Sequence, residues 1–196
     1  AISHADKTIA NHYRPDFSSY HVIDYDTVTG GVRNKLTAQG YANESAWARG
    51  QAWGLYGYTL CYRYTKNQTY LAQADAIANY ILSSKITPAD GIPYWDYNDP
   101  QIPNVSRDAS AAAITASALY ELAKFSEANA KKYKAAADKI LVSLSTKYAS
   151  AQGANYGFLL EHSTGHRPAK SEIDVPINYA DYYYIEALLR SKNKGY

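Results

Sequence analysis

Helical segments of two kinds alternate along this 196-residue chain, and this alternation constrains the fold more than any other feature. The segments that begin near Ser45, Asp108 and Asn178 are apolar on almost every face, which is typical of helices with neighbours on all sides. The segments from Tyr70 and from Lys132 are apolar on one face and polar opposite. We therefore expect fully buried inner helices to alternate with outer helices that face water.

A double ring of helices requires such an alternation, so the pattern favours an all-α fold, an α/α toroid. The same periodicities also permit an irregular helical bundle, and periodicity alone does not separate the two. The length is sufficient for one domain with a sizeable core, and we assign residues 1–196 to that domain.

Shorter elements connect the helices. An opening helix runs from Ile2 to His12 and ends before Pro15. Alternation from Tyr20 to Tyr25, followed by two glycines, predicts a β-hairpin or extended loop. The segment NYGFLLEH reads as a short strand. Cys61 is the single cysteine and is expected to be a packed, buried thiol without a disulfide partner.

Composition excludes several classes of protein. Twenty Lys and Arg residues face 18 Asp and Glu residues, and no basic stripe concentrates the excess, so nucleic acid is not an expected partner. The apolar runs are too short to cross a membrane, which predicts a soluble protein of the cytoplasm or the periplasm. The sequence contains no Met and begins inside an amphipathic pattern, which indicates a truncated or processed product.

The richest chemistry lies between Gln39 and Trp53, at the start of the first long apolar helix. Arg49 and Trp53 are four residues apart, so they share a face near the positive end of the helix dipole. A guanidinium fits a carboxylate and an indole stacks on a pyranose, which together suit a uronic acid. The alternative has equal weight on the residues alone: Arg49 pairs with Glu44 or Asp24, and Trp53 fills core.

Histidines and acids elsewhere give weaker signals. His21 lies beside Asp24 and Asp26, but a lone histidine on a strand is more often structural, and no calcium-loop pattern follows. His162 and His166 are four apart in a segment that Gly and Pro mark as a loop, without the glutamate of a zinc helix. We expect no metal, no cofactor and a shaping role for this loop.

Acids that could pair for glycoside hydrolysis cannot be placed across a sugar from the sequence. Asp108 is expected to cap a helix, and Asp96 to stabilise a loop. Nucleophile-elbow, phosphate-loop and dinucleotide motifs are all missing from the sequence. The candidate acids are Asp24, Asp26, Glu44, Asp96, Asp108 and Asp181.

The order and spacing of six motifs resemble those of the unsaturated glucuronyl hydrolase family. The resemblance spans essentially the whole chain, which matches the C-terminal portion of the family's members. Its most specific part is ARGQAWGLYG after a Y-H-V-x-D-x-D hairpin. The related unsaturated rhamnogalacturonyl hydrolases share the toroid, but the histidine hairpin and the HSTGH loop favour the glucuronyl group. The motifs are NHYRPDFSSYHVIDYD, QGYANESAWARGQAWGLYGYT, GIPYWDYNDP, RDASAAAITASALYELA, HSTGHRPAKSEIDV and NYADYYYIEALLR.

This resemblance implies a six-hairpin (α/α)6 toroid fold. It also implies a glycoside hydrolase that acts on lyase-generated oligosaccharides ending in a 4,5-unsaturated uronic acid. It places His21, Gln39, Arg49 and Trp53 at the uronate. The family's catalytic aspartates fall upstream of Ala1, so no catalytic residue is expected in this chain. Two hypotheses follow: a piece of a hydrolase, inactive alone, or a non-catalytic sugar-binding half-toroid. Inner helices left open would expose apolar surface that favours association with a second copy.

Overall fold

The computed structural model describes residues 1–83, 85 and 87–193 of the chain. Among these residues there are six helices, of which the second packs on the third and the fourth on the fifth. Of the two small antiparallel hairpins, one follows the first helix and the other precedes the last. Short 3-10 turns at Glu127–Asn129 and Asn155–Gly157 complete the connections. The helices and strands, in chain order, are α1 (Ile2–His12), β1 (Val22–Tyr25), β2 (Val32–Leu36), α2 (Ala48–Thr65), α3 (Gln68–Ser83), α4 (Ala109–Leu122), α5 (Ala130–Lys147), β3 (Ser163–His166), β4 (Ser171–Val175) and α6 (Asn178–Ser191).

Helix α4 is the centre of the fold. All of its 14 residues are buried, because α2, α5 and α6 pack around it. Its alanine-rich sequence lets the neighbouring helices approach closely, and the Asp108 carboxylate caps its first turn by accepting from the Ser110 and Ala111 amides. The expectations that this helix is an inner one and that Asp108 is its cap are confirmed.

Helices α3 and α5 form the outer row. Each buries one face and exposes the other, as the one-sided apolar pattern predicts. The structure begins α3 at Gln68 and α5 at Ala130, two residues before the expected starts. Fully buried Tyr70 and Tyr133 anchor these helices against the core, and Tyr133 donates to the Asp75 carboxylate over 2.7 Å. The alternation of inner and outer helices is therefore present.

Helix α2 differs from the expectation that it is buried all round, which is wrong for this chain. Its buried side packs on α3 and α4, whereas Trp53 on the other side is 36% exposed. Helix α1 covers part of that side, where the Tyr58 hydroxyl donates to the Ala5 carbonyl, and the rest borders a cavity. The buried residues are Ala48, Arg49, Gln51, Ala52, Leu55, Tyr58 and Thr59.

Helix α6 is also less buried than its apolar sequence predicts. It packs on α4 through Ala180, Ala187 and Arg190 but leaves a row of apolar side chains exposed on its far side. This row has no neighbour among the described residues, so hydrophobicity alone overestimates burial here. The exposed residues of the row are Tyr182, Ile185 and Leu189.

Buried charges hold the inner helices together. The Arg190 guanidinium of α6 pairs with Glu121 of α4 over 2.6 Å and with Glu186 over 3.2 Å. Arg63 of α2 pairs with the same Glu121 over 2.9 Å. Arg190 also donates to the Ser117 carbonyl, so two cations and two carboxylates connect α2, α4 and α6. Removing one partner from a buried ionic network strongly lowers the free energy of unfolding, because an uncompensated charge remains inside the protein.

The two hairpins lie at the end of the molecule where α2 begins. Strands β1 and β2 pair antiparallel, as the sequence predicts. The predicted strand at NYGFLLEH is present only in part. A 3-10 turn with positive φ at Asn155 and Tyr156 occupies its start, while Leu160 forms an antiparallel bridge with Ala149. The segment interpreted as a loop around His162 and His166 instead contains the antiparallel pair β3 and β4. Pro168 does lie in the turn between these strands, whereas Gly165 is inside β3, where cross-strand pairing outweighs its turn preference.

Two smaller expectations concern the burial of the Cys61 thiol and membrane-spanning segments. The Cys61 thiol is half-buried and borders the cavity beside α2, so its expected full burial is wrong. Burial nevertheless raises the pKa of this thiol. Among the described residues, no helix has both the length and the hydropathy needed to span a bilayer.

Candidate functional site

The start of α2 is fixed by a buried aspartate from a distant loop. Asp96 accepts hydrogen bonds from the Tyr41 amide (2.9 Å) and the Ser45 hydroxyl (2.7 Å), and burial raises the pKa of its carboxyl group. Ser45 therefore does not cap α2, which begins at Ala48 with Trp47 as its N-cap. These hydrogen bonds confirm Asp96 as a loop stabiliser and connect the Gln39–Trp47 segment to the loop that carries Asp96.

His21 lies immediately before strand β1, with its ring against the indole of Trp47. The ring centroids are 4.4 Å apart. The Nδ1 atom of His21 accepts from the amides of Ala38 (3.2 Å) and Gln39 (3.1 Å), so the neutral ring carries its proton on Nε2. Burial lowers the pKa of His21, and the positive charge of Arg49 adds in the same direction. His21 is thus a neutral, oriented imidazole whose Nε2–H is a donor.

Arg49, in the first turn of α2, is 2% exposed and forms a buried ion pair. Its Nη1 lies 2.9 Å from Oδ2 of Asp108. Neither sequence-proposed partner holds this guanidinium: Glu44 pairs with Arg14, and Asp24 pairs with Arg33. The ion-pair interpretation of Arg49 is therefore correct in kind, with a different acid.

The guanidinium of Arg49 also binds the second hairpin. Its Nη1 donates to the Thr164 carbonyl (2.5 Å) and its Nη2 to the Gly165 carbonyl (2.6 Å). The Gln39 amide donates to the same Gly165 carbonyl over 3.0 Å. A Cβ at Gly165 would overlap the Glu172 side chain, so this position requires glycine. One carbonyl of β3 thus joins two of the predicted site residues.

Trp53 follows Arg49 by one turn on α2 and presents its indole to solvent. Its ring centroid is 5.2 Å from that of Tyr183 and 6.4 Å from that of Tyr179, both on α6. The Arg49 guanidinium lies 5.5 Å from the Tyr179 ring centroid and 4.6 Å from that of Trp47. The Arg49 guanidinium therefore contacts two aromatic rings, and Trp53 belongs to the same aromatic group through its contact with Tyr179.

A cavity of about 410 Å³ opens beside these residues and runs along the exposed side of α2. His21 and Trp53 line it together with Trp47. The lining tyrosines are Tyr13 and Tyr20 from the segment after α1, and Tyr58 of α2. Its lining is mostly apolar and contains no Asp or Glu among the described residues. Flat rings around a cavity of this size are typical of sites for small organic molecules such as sugars.

The structure thus brings the four predicted residues to one end of the molecule. His21 and Trp53 line the cavity, as does Trp47. Gln39 and Arg49 do not line it but meet at the Gly165 carbonyl, and the Arg49 guanidinium lies over the Trp47 ring. Sequence reasoning did not identify Trp47 and Gly165. The only sequence signal for Trp47 is its position two residues before Arg49, and a backbone carbonyl gives none.

The other candidate acids are occupied elsewhere. Asp24 accepts from Arg33 and Asn34, and Asp26 accepts from the Val28 and Thr29 amides. Asp181 accepts from the amides of Leu159 and Leu160. Over the part of the chain that the structure describes, no three His, Cys, Asp or Glu side chains group as metal ligands.

Comparisons with known proteins agree with this architecture, although no family model matches the chain. An unsaturated glucuronyl hydrolase of Formosa agariphila is 50% identical over 194 residues, which cover 98% of this chain and 48% of that protein. An unsaturated chondroitin disaccharide hydrolase of Streptococcus pneumoniae is 37% identical over 97% of this chain and 48% of that protein. A crystal structure of an unsaturated glucuronyl hydrolase specific for heparin superimposes with a TM-score of 0.96 at 49% identity, over 98% of this chain and 52% of that one.

Alternating inner and outer helices, with an aromatic cavity beside the first inner helix, define part of an (α/α)6 toroid. The chain belongs to the unsaturated glucuronyl hydrolase family. It spans about half the length of the relatives that it matches.

Proposed function

We propose that this chain is the uronate-binding part of a glycoside hydrolase. The substrate is an oligosaccharide produced by a polysaccharide lyase, which ends in a 4,5-unsaturated uronic acid. The proposed binding residues are His21, Gln39, Arg49 and Trp53. The supporting relatives are hydrolases of unsaturated glucuronyl or chondroitin disaccharides by name, and one neighbouring structure is described as specific for heparin.

One observation carries this proposal: a chain of contacts connects the four residues. Trp47 contacts both His21 and Arg49, and Tyr179 contacts both Arg49 and Trp53. The Gly165 carbonyl accepts from both Arg49 and Gln39. The exposed indole of Trp53 provides a stacking face for a pyranose, and His21 provides a neutral N–H donor beside it. A flat unsaturated ring with polar substituents fits such a surface.

In this proposal Arg49 does not offer a free guanidinium fork to the carboxylate of the substrate. Its donors already face the Asp108 carboxylate and the carbonyls of Thr164 and Gly165. Arg49 therefore shapes the cavity indirectly, because it holds β3 through these carbonyls and contacts the Trp47 indole. The Gln39 side-chain amide donates to the same Gly165 carbonyl.

Catalysis in this proposal belongs to the rest of the polypeptide. None of the described residues that line the cavity carries a carboxyl group, so the cavity contains no proton donor of the expected kind. In the whole protein, an aspartate from the preceding helices hydrates the C4–C5 vinyl ether, and the resulting hemiketal opens to release the next sugar. The 196-residue chain alone binds without turnover.

Calorimetry with the 196-residue chain tests this function. We expect 4,5-unsaturated disaccharides derived from heparin and from chondroitin to bind, and a saturated neutral disaccharide to bind much more weakly. The ultraviolet absorbance of the unsaturated uronate should remain constant during incubation. Equal binding of the saturated control, or no binding of either unsaturated sugar, would refute the proposed substrate class.

A second experiment separates the hydrolase from a non-catalytic sugar-binding half-toroid. The reading frame upstream of Ala1 is sequenced and the longer product is expressed. Absorbance loss with the longer product supports the hydrolase, whereas sugar binding without turnover by the longest natural product supports the half-toroid. Turnover by the 196-residue chain itself would contradict the assignment of the catalytic acid to the preceding helices.

A further inference from the structure

Asp108 has two hydrogen-bonding faces with different functions. Its Oδ1 accepts from the Ser110 amide (3.0 Å) and the Ala111 amide (3.4 Å), which is the cap of α4. The same oxygen lies 3.4 Å from the Thr164 amide of β3. Its Oδ2 instead accepts from Arg49 at 2.9 Å. A capping role uses only the first oxygen, so the second needs a separate explanation.

The Arg49 guanidinium depends on this second oxygen. It contacts two aromatic rings and is almost completely withdrawn from water, where a cation requires a paired anion. Asp108 is its ion-pair partner and is itself 0% exposed. The three remaining acceptors are neutral: the Ser110 hydroxyl of α4 and the Thr164 and Gly165 carbonyls of the second hairpin. The charge that orients Arg49 therefore comes from Asp108.

We propose that Asp108 is a positioning residue of the sugar site: it orients Arg49, and Arg49 in turn positions the Trp47 indole, which lines the cavity, and anchors β3 through the Gly165 carbonyl. This inference rests on the proposed function. Asp108 is at the junction of α4, the start of α2 and strand β3, so one carboxylate fixes three elements. Nothing in this role requires Asp108 to touch the sugar.

Two substitutions separate positioning from capping. Asp108→Asn and Asp108→Ser both retain a side chain that caps a helix, but neither supplies a negative charge to Arg49. Asp90→Asn is the matched control, because Asp90 pairs with the neighbouring Arg107 and not with Arg49. Folding of each variant is checked by circular dichroism and thermal melting.

The first measurement needs no ligand. In wild type, the ion pair should slow exchange of the Arg49 guanidinium N–H protons in nuclear magnetic resonance spectra. We expect these signals to be lost in Asp108→Asn and Asp108→Ser and kept in Asp90→Asn, while the Ser110 and Ala111 amides stay protected in all three. Unchanged Arg49 signals in Asp108→Asn would overturn the proposal.

The second measurement is calorimetric binding of the heparin-derived unsaturated disaccharide. We expect at least a fivefold weaker affinity in Asp108→Asn and Asp108→Ser and less than a twofold change in Asp90→Asn. Wild-type affinity in a folded Asp108→Asn variant would overturn the positioning role. If wild type itself does not bind, the proposed function fails, and the Arg49 signals still decide whether Asp108 orients the guanidinium.

Discussion

The imidazole of His21 lies against the indole of Trp47, with the ring centroids 4.4 Å apart. This contact withdraws His21 from water and lowers its pKa below the ordinary 6.5. Because Nδ1 accepts two backbone N–H bonds, protonation of the ring would break both of them. The stability of this end of the molecule is therefore linked to pH.

We expect the free energy of unfolding to fall as the pH drops below the unfolded-state pKa of His21, which is 6.5. The unfolded chain binds the proton more readily than the folded chain, so acid favours unfolding until the pH passes below the folded-state pKa. His12, whose pKa burial also lowers, acts with the same sign. Urea unfolding of wild type and His21→Gln at several pH values isolates the His21 part. An NMR titration midpoint for His21 at or above 6.5 would contradict this prediction.

The buried network around Arg190 should be sensitive to removal of its cation. Arg190→Met removes the cation that pairs with Glu121 and Glu186 in the helical core. Glu186 then keeps only the neutral donors Tyr56 and Ser117. We expect a loss of about 3–5 kcal/mol in the free energy of unfolding, measured by urea titration. Arg33→Met, which removes an ion pair at the surface of the first hairpin, is the control and should change stability little. Similar losses in the two variants would be inconsistent with a buried network.

Two glycines on α2 should respond in opposite ways to alanine. A Cβ at Gly57 would meet no atom within 4 Å, so Gly57→Ala should stabilise the chain through helix propensity. The expected gain is about 0.5–1 kcal/mol. A Cβ at Gly54 would overlap the hydroxyl of half-buried Tyr13, so Gly54→Ala should melt at a lower temperature than Gly57→Ala. The reverse order of melting temperatures would show that the Gly54 side of α2 is open.

Trp53 should contribute to sugar affinity by stacking. Trp53→Ala removes an exposed indole from the cavity wall, and we expect the dissociation constant for the unsaturated disaccharide to rise about two- to tenfold. Trp53→Phe should retain part of the affinity, since a smaller ring still stacks. Tyr64→Ala is the control, because Tyr64 is an exposed aromatic residue near the opposite end of α2. An equal effect of Tyr64→Ala would indicate a non-specific loss.

The sequence by itself predicts those features that depend on local pattern. Period-3.6 hydrophobicity separates α4 from the outer helices α3 and α5, and the motif DAS places Asp108 at a helix cap. Family resemblance also selects His21, Gln39, Arg49 and Trp53, which the fold gathers at one end. Each of these depends on residues that are close in sequence or on a motif that matches as a whole.

Only the tertiary structure decides which partners those side chains meet. The ion pair of Arg49 joins residues 59 positions apart, and its contact with Gly165 spans 116 positions, so no local pattern reports either. The same holds for burial: α2 and α6 are apolar all round in sequence, yet each exposes a side, because burial requires a neighbouring element and not only an apolar surface. The sequence determines which helices form and which side chains are available, while long-range packing determines that the guanidinium of Arg49 faces Asp108 and β3.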